Sequence, residues 1–145
     1  MSSHIKNNTD IQLLATYGTL RDDDNSGALW TKNFIKGISH ATTGRIVGYQ
    51  LLGHPIITYP FAIYTGNPND AIVVRLLSWP SKEQFEEKIE QADIIEGDDY
   101  ERKIVEAIVE NETKLAYIYI LKSEISLEKD WKVIPSGDWL KRHLK

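Results

Sequence analysis

The chain has 145 residues, of which 41% are hydrophobic and 26% are charged, which is typical of one globular domain. The 21 Asp and Glu residues outnumber the 17 Lys and Arg residues, for a net charge of −4, and this disfavours a nucleic-acid partner. There is no cysteine, so disulfide frameworks and thiol catalysis are excluded. No apolar run approaches the roughly 20 residues of a membrane span. We therefore expect a cytoplasmic protein without a membrane partner.

The first predicted element follows a polar N-terminal segment. Residues 1–10 are almost all polar, so we expect a disordered tail ahead of a single domain over residues 11–145. The apolar run Ile11–Tyr17 predicts a β-strand, because it is rich in strand-forming residues and ends at Gly18.

The next part of the chain predicts one helical segment and several short strands. Trp30, Phe34 and Ile38 recur every four residues, which is the spacing of one helix face. Two β-rich pieces, Thr42–Leu52 and Phe61–Tyr64, are punctuated by glycines and prolines. This pattern predicts strands joined by turns.

The clearest strand directly precedes the clearest helix. Ala71–Trp79 is nearly all apolar, rich in β-branched residues and bounded by turn residues, which predicts a strand. Ser81–Ala92 predicts a helix, because Pro80 precedes it and Ser81 with Gln84 has the pattern of a capping box.

A hairpin follows the helix. Its predicted strands are Arg102–Glu110 and Lys114–Leu121, joined by a loop at residues 111–113. The second strand is apolar almost throughout, so we expect either that both of its faces are covered or that it lines a closed barrel. The predicted fold class is α+β, with a small, mixed, curled β-sheet or barrel and flanking helices. We expect one sheet to contain Leu13–Tyr17, Ile72–Leu77, Lys103–Val109 and Leu115–Leu121.

A first candidate site is the segment Tyr17–Arg21, where the first strand runs into a glycine. Glycine permits a tight turn and the close approach of a ligand to the backbone. Successive amide N–H groups in such a turn can bind an anion such as a carboxylate. An ordinary strand-ending turn is the commoner reason for such a sequence.

A second candidate is Glu96, which follows two isoleucines and precedes Gly97. An apolar setting raises the pKa of a carboxyl group, and a base with a pKa nearer 7 is the more useful catalyst. The alternative is a solvated acidic loop, and we adopt this alternative for the neighbouring Asp98, Asp99 and Glu101.

Other kinds of site find little support in the residues. Asp22–Leu29 imitates the start of a calcium loop, but Asn33 stands where a bidentate glutamate is required, so we interpret the segment as a surface turn. The four histidines are scattered, which disfavours a metal site. Glycine loops for nucleotides and the nucleophile motif of serine hydrolases are absent from the sequence. We expect neither a metal nor a cofactor.

Several short motifs occur in a specific order over roughly residues 13–140. They are Tyr17–Arg21, Thr58–Pro60, Ala71–Ser78, Ile95–Gly97, Tyr100-x-Arg102, Ala116–Tyr119 and Ser136–Trp139. Together these motifs resemble the gamma-glutamylcyclotransferase-like, or AIG2-like, family. The resemblance implies a small α+β fold around a closed or nearly closed β-barrel, with a pocket at one end. The aspartates Asp22–Asp24 depart from the family's usual loop, at the rim of the implied pocket.

The resemblance also implies roles for individual residues. The substrate-binding residues it implies are Tyr17, Gly18, Thr19, Leu20 and Tyr119. Backbone N–H groups of residues 18–20 would hold the carboxylate of a gamma-glutamyl group. Glu96 matches the family's catalytic glutamate, and Tyr100 with Arg102 matches a Tyr-x-Arg pattern that we interpret as structural support for the Glu96 segment.

The activity that the resemblance implies is cofactor-independent cyclotransfer on a small gamma-glutamyl substrate. The α-amino nitrogen attacks the γ-carbonyl carbon of the same residue, which releases an amine and leaves 5-oxoproline. One carboxyl group, Glu96, can make both proton transfers in sequence. The alternative is a non-catalytic module that binds a small carboxylated metabolite in the same pocket. The leaving amine stays open between an α-amino acid, a lysine side chain and a polyamine, and the assembly between a monomer and a homodimer.

Overall fold

A computed structural model describes residues 11–26, 28–123 and 125–143. The predicted disordered tail, residues 1–10, lies outside these ranges. The described elements in chain order are β1 (Leu14–Thr16), α1 (Leu29–Phe34), β2 (His40–Val47), β3 (Tyr49–Gly53), β4 (Phe61–Tyr64), β5 (Ala71–Ser78), α2 (Lys82–Glu96), β6 (Tyr100–Val109), β7 (Glu112–Leu121), β8 (Lys132–Val133) and a 3₁₀ turn (Trp139–Lys141).

Five strands close into a barrel in the order β1-β5-β2-β6-β7. Neighbouring strands are antiparallel except β1 and β7, which run parallel with Leu14 opposite Tyr117. A second sheet has the order β4-β3-β8. The four segments expected in one sheet all contribute strands to the barrel, so the prediction of a mixed, curled sheet in an α+β fold is confirmed.

The strands of the barrel supply much of the apolar core. On β5, alternate residues Ile72, Val74 and Leu76 are at most 1% exposed, as the two-residue period of a strand requires for a covered face. On β7, residues 118–121 are all buried, so both faces of this half of the strand are covered, as expected. Burying each such large aliphatic side chain contributes about 1.5–3 kcal/mol.

Helix α2 begins as predicted but ends four residues later than Ala92. The hydroxyl of Ser81 accepts a hydrogen bond from the backbone N–H of Gln84 at 3.1 Å, which caps the helix. The chain stays helical through Glu96 and leaves the helix at Gly97, whose φ of 78° favours glycine. Glu96 is therefore the last helical residue and not part of a loop. Neither α-helix of the described residues is both long and apolar enough to cross a membrane.

Two further boundaries differ from the prediction. Helix α1 is shorter than the helix that the spacing predicted, since Ile38 lies beyond its end. In the hairpin, Val109 pairs with Glu112, so the predicted three-residue loop is wrong and two residues make the turn. The turn is possible because Glu110 adopts a left-handed backbone conformation with φ of 55°.

Candidate active site

Two adjoining cavities lie where β1 ends. The inner cavity has a volume of about 20 Å³, which holds about one water molecule. Its wall comprises residues 15–20 with Tyr59, Pro60, Glu96, Tyr100 and Tyr119. The outer cavity has a volume of about 300 Å³ and is lined by Thr19, Trp30, Tyr59, Ile95, Glu96, Asp99 and Tyr100. Since Glu96 is in both walls, its side chain lies at the junction of the two cavities.

The structure brings together all the residues that the sequence singled out for the pocket. The loop after β1, the end of α2 and the strand β7 supply them, and each lines the inner cavity: Tyr17, Gly18, Thr19, Leu20, Glu96 and Tyr119. Sequence reasoning missed the walls made by Tyr59, Pro60 and Trp30. The motif Thr58–Pro60 was the signal that could have located two of these three.

Glu96 is a partly buried carboxyl group that forms no ion pair with any residue in the described ranges. Neither cavity has a lysine, arginine or histidine in its wall. Burial therefore raises the pKa of Glu96 from 4.5 to about 8, because removal from water disfavours the charged form. The position at the C-terminal end of α2 acts in the same direction, since the helix dipole is negative there. Such a group can both accept and donate a proton near neutral pH.

The loop opposite Glu96 presents backbone donors. The turn is closed by a 3.0 Å hydrogen bond from the N–H of Arg21 to the carbonyl of Gly18. The N–H groups of residues 18–20 donate no hydrogen bond to any residue that the structure describes, although Thr19 and Leu20 are only 8% and 4% exposed. Buried N–H groups nearly always have a partner. Successive free N–H groups in a turn suit an anion.

Gly18 is required by a close approach between two parts of the chain. A Cβ atom at this position would lie 2.6 Å from Cδ and 2.7 Å from Cγ of Pro60. The φ angle of Gly18 is not in the left-handed region, so the turn itself does not demand glycine. The close approach that requires glycine is made by the ring of Pro60, which also lines the inner cavity, and the approach of a ligand to this loop stays a prediction.

Two buried tyrosines tie the second sheet to the barrel. The hydroxyl of Tyr17 donates to the carbonyl of Tyr119 at 2.6 Å and accepts from the N–H of Ala62 at 3.3 Å. The hydroxyl of Tyr100 donates to the carbonyl of Pro60 at 2.8 Å. Burial raises the pKa of both phenols above the usual value, so both stay neutral. Their hydroxyls hold the cavity walls together, and the hydroxyl of Tyr100 bonds to Pro60 and not to the Glu96 segment, which we expected it to support.

A second group of polar contacts holds the last turns of α2. The hydroxyl of Tyr119 donates its one hydrogen to Oδ1 of Asp93 at 2.5 Å and shares it with the carbonyl of Ile89 at 3.2 Å. Nη1 of Arg102 donates to the other oxygen of Asp93 at 3.3 Å. Asp93 lies three residues before Glu96, so these contacts position the helix end, which is the supporting role expected of Arg102. Tyr119 lines the inner cavity, but its hydroxyl is bonded to α2.

Two of the aspartates that follow the first loop, Asp22 and Asp23, are held by arginines. Arg21 is 2% exposed and forms two hydrogen bonds to Asp23, at 2.7 and 2.9 Å, and one to Asp138 at 2.9 Å. Arg75 makes a similar two-bond pair with Asp22, at 2.8 and 3.0 Å. The expected surface turn is therefore anchored by ion pairs. None of these aspartates lines either cavity.

The acidic residues after α2 differ from one another. Asp98 and Glu101 line neither cavity, whereas Asp99 is part of the outer cavity. Asp99 is exposed to solvent, as expected, and it also forms part of the wall of the outer cavity. No sequence signal separates Asp99 from Asp98, since they are adjacent and chemically identical. Within the ranges that the structure covers, no cluster of three or more His, Asp or Glu residues could hold a metal ion.

Comparisons with solved structures give several proteins of the same fold. Protein PH0828 from Pyrococcus horikoshii is 24% identical with a TM-score of 0.60, over 92% of this chain and 93% of that chain. YkqA from Bacillus subtilis is 19% identical with a TM-score of 0.63, over 92% of this chain. This chain spans only 41% of the YkqA chain. A solved gamma-glutamyl cyclotransferase is 14% identical with a TM-score of 0.51, over 84% of this chain and 69% of that chain.

Comparison with protein families gives a match over most of the sequence. Residues 14–141 match the model of the family described as gamma-glutamyl cyclotransferase, AIG2-like. No curated protein matches the chain. The matched segment contains the loop after β1, the end of α2 and the strand β7, which together form the inner cavity. The chain therefore belongs to the gamma-glutamyl cyclotransferase, AIG2-like family.

Proposed function

We propose that this protein is an enzyme that converts a gamma-glutamyl amide into 5-oxoproline and a free amine, with Glu96 as the group that moves protons. One observation carries the proposal. The carboxyl group of Glu96, with its pKa raised to about 8 by burial, shares a small cavity with the three N–H groups of residues 18–20 that lack a described partner. The cavity thus combines a proton-transfer group with donors for an anion.

The sizes of the two cavities indicate where each part of the substrate would bind. The inner cavity, at about 20 Å³, suits a group as small as a carboxylate. The N–H groups of residues 18–20 would hold the α-carboxylate of the substrate there. The outer cavity, at about 300 Å³, then takes the leaving amine, and the reacting atoms lie beside Glu96 at the junction. Both reacting groups are on one short chain, and proximity in a well-oriented intramolecular reaction lowers the barrier by roughly 7–11 kcal/mol, so the protein has only to fold the substrate back on itself.

The chemistry needs proton transfers at both nitrogens. The ionised Glu96 takes a proton from the α-ammonium group of the substrate and releases it to solvent, and the freed nitrogen attacks the γ-carbonyl carbon to form a five-membered ring. Glu96 then takes a second proton from the attacking nitrogen and passes it to the leaving nitrogen, as the bond between that nitrogen and the carbon breaks. The products are 5-oxoproline and a free amine, and Glu96 ends in its starting state. A pKa close to the working pH suits a group that must act in both directions.

The alternative is a module that only binds a carboxylated metabolite. A carboxyl group in the wall is unfavourable for such a module, since its ionised form repels a bound carboxylate. The same group is required for proton transfer, so the presence of Glu96 favours the enzyme. A solved gamma-glutamyl cyclotransferase with the same fold supports this choice, although one fold can host several chemistries.

The test is the detection of 5-oxoproline by mass spectrometry after incubation with gamma-glutamyl amides of an amino acid, of the lysine side chain and of a diamine. We expect 5-oxoproline from at least one of them, in proportion to enzyme concentration. An α-glutamyl amide serves as the matched control and gives no product, because its leaving amine is not on the γ-carbonyl. Binding of gamma-glutamyl compounds without any 5-oxoproline would favour the binding module.

A further inference from the structure

The wall of the outer cavity carries acidic and aromatic side chains that the cyclisation itself does not require. We propose that this cavity selects a leaving amine that carries a second, positively charged amine and no carboxylate, as in a gamma-glutamyl diamine or polyamine, and that Asp99 is the residue that selects it. This inference rests on the proposed function for the identity of the substrate. It concerns binding of the leaving amine, which can be measured separately from turnover.

The charged side chains of the outer cavity are all acidic. Of the residues that line it, Glu96 and Asp99 carry ionisable acids, and none is basic. Among the described ion pairs, none involves Asp99. Its backbone is nevertheless held in place, because its carbonyl accepts a 3.0 Å hydrogen bond from the N–H of Lys122. A cation that enters the cavity therefore meets an exposed carboxylate on a backbone that is held in place.

Two aromatic side chains complete the same surface. Trp30 is 39% exposed and is oriented by a 3.1 Å hydrogen bond from its Nε1 to the hydroxyl of Thr19. Tyr59 is 36% exposed and packs edge-on against Phe61, with 6.0 Å between ring centres. The faces of tryptophan and tyrosine attract ammonium groups. Aromatic rings beside a carboxylate that forms no ion pair within the described residues suit an alkyl chain that ends in an ammonium group.

These features discriminate among the three leaving amines that the sequence left open. An α-amino acid would bring its own carboxylate towards Asp99, which costs binding through repulsion. A lysine side chain within a peptide brings no extra charge. A diamine or polyamine brings an ammonium group without a carboxylate, and the cavity offers this group both attraction and apolar contact. The charge pattern therefore favours the diamine or polyamine.

The first experiment compares three gamma-glutamyl amides of matched length. Their leaving amines are 1,4-diaminobutane, butylamine and 4-aminobutyrate, which end in an ammonium, a methyl and a carboxylate group. We expect kcat/KM to fall by about tenfold at each step in this order at low salt, and the differences to shrink at high salt. Equal values for the ammonium and methyl compounds, with 5-oxoproline formed from both, would overturn the inference and leave the proposed function intact.

The second experiment assigns the selectivity to Asp99. In Asp99→Asn, the ratio of kcat/KM for the diamine and butylamine compounds should fall towards one. The matched control is Asp98→Asn, which removes the same charge from the adjacent residue outside both cavities and should keep the wild-type ratio. A similar loss in both variants would show that net charge, and not this cavity, sets the preference.

A binding measurement separates this inference from the proposed function. Isothermal titration of Glu96→Gln with the diamine and butylamine compounds reports affinity without turnover. We expect about tenfold tighter binding of the diamine compound, and loss of that preference when Asp99→Asn is added. This preference without 5-oxoproline from the wild type would support the cavity assignment and contradict the enzyme. Binding of both compounds with equal affinity, or of neither, would overturn the assignment.

Discussion

The hydroxyl of Tyr119 on the barrel lies 2.5 Å from a carboxylate oxygen of Asp93 on α2, three residues before Glu96. This contact joins the wall of the inner cavity to the helix end that carries the proposed proton-transfer group. Helix ends often fray. The bond from Tyr119, together with that from Arg102 to Asp93, gives the end of α2 a defined position relative to the barrel.

Removing the hydroxyl of Tyr119 should loosen this attachment. In Tyr119→Phe the oxygen of Asp93 and the carbonyl of Ile89 lose a donor, so we expect the free energy of unfolding to fall by about 1–2 kcal/mol. We also expect kcat/KM for 5-oxoproline formation to fall by about tenfold, because small displacements of a catalytic group are costly. Urea denaturation and steady-state kinetics measure the two effects.

The matched control for this variant is Tyr117→Phe, on the same strand. The hydroxyl of Tyr117 bonds to no residue in the described ranges, while its ring stacks on Phe85 with 6.2 Å between ring centres. Loss of the hydroxyl of Tyr117 should therefore change neither the free energy of unfolding nor the activity appreciably. Equal effects of the two variants would contradict the positioning role of Tyr119.

Glu96→Gln tests the proposed proton transfer directly. Glutamine has nearly the same shape but cannot accept the proton, so turnover should fall by at least about two orders of magnitude. Stability should be unchanged or slightly higher, because the variant removes a carboxyl group from an environment that disfavours its charge. Glu101→Gln and Asp98→Asn remove nearby carboxylates outside both cavities and should keep wild-type turnover. Retention of more than about a tenth of the activity by Glu96→Gln would exclude Glu96 as the general base.

The raised pKa of Glu96 also predicts how stability depends on pH. The folded protein holds this proton until about pH 8, whereas the unfolded chain releases it near 4.5. Between these values the folded state binds more protons, so the free energy of unfolding contributed by Glu96 falls as pH rises and levels off above about pH 8. Subtracting the stability of Glu96→Gln from that of the wild type at each pH isolates this contribution. We expect a decline of roughly 2 kcal/mol, since contact with water at the partly exposed carboxyl reduces the effect. A constant difference from pH 5 to 9 would show that the pKa of Glu96 is ordinary.

The contact between Gly18 and Pro60 predicts a pair of coupled variants. Gly18→Ala places a Cβ atom in the position that lies 2.6 Å from the ring of Pro60, so it should destabilise the protein by about 1–3 kcal/mol through overpacking. Pro60→Ala removes the colliding ring atoms. The double variant should therefore lose less stability than the sum of the two single changes. Strict additivity in thermal or urea unfolding would show that the two residues do not restrain each other.

Local pattern predicted the strands that form the barrel and the start of α2. Ala71–Ser78 is apolar and β-branched, and this composition favours a strand in almost any context. The capping pair Ser81 and Gln84 predicted where the helix begins, because a cap acts through a contact three residues away. The end of the helix was placed too early, because the tertiary contacts of Asp93 with Tyr119 and Arg102 hold its last turn. Glu96 therefore lies at the end of a helix and not in the predicted loop.

The sequence by itself determined the α+β class and, through the resemblance of short motifs, six of the residues that line the inner cavity, but not Tyr59 and Pro60. Only the tertiary structure decided that β1 and β7 close the barrel in parallel, with Leu14 opposite Tyr117. It also decided that Arg21 pairs with Asp138, and that Asp99, but not Asp98, lines the outer cavity. These relationships join residues far apart in the chain or separate identical neighbours. Their physical basis is packing and charge pairing between segments, which local propensity does not encode.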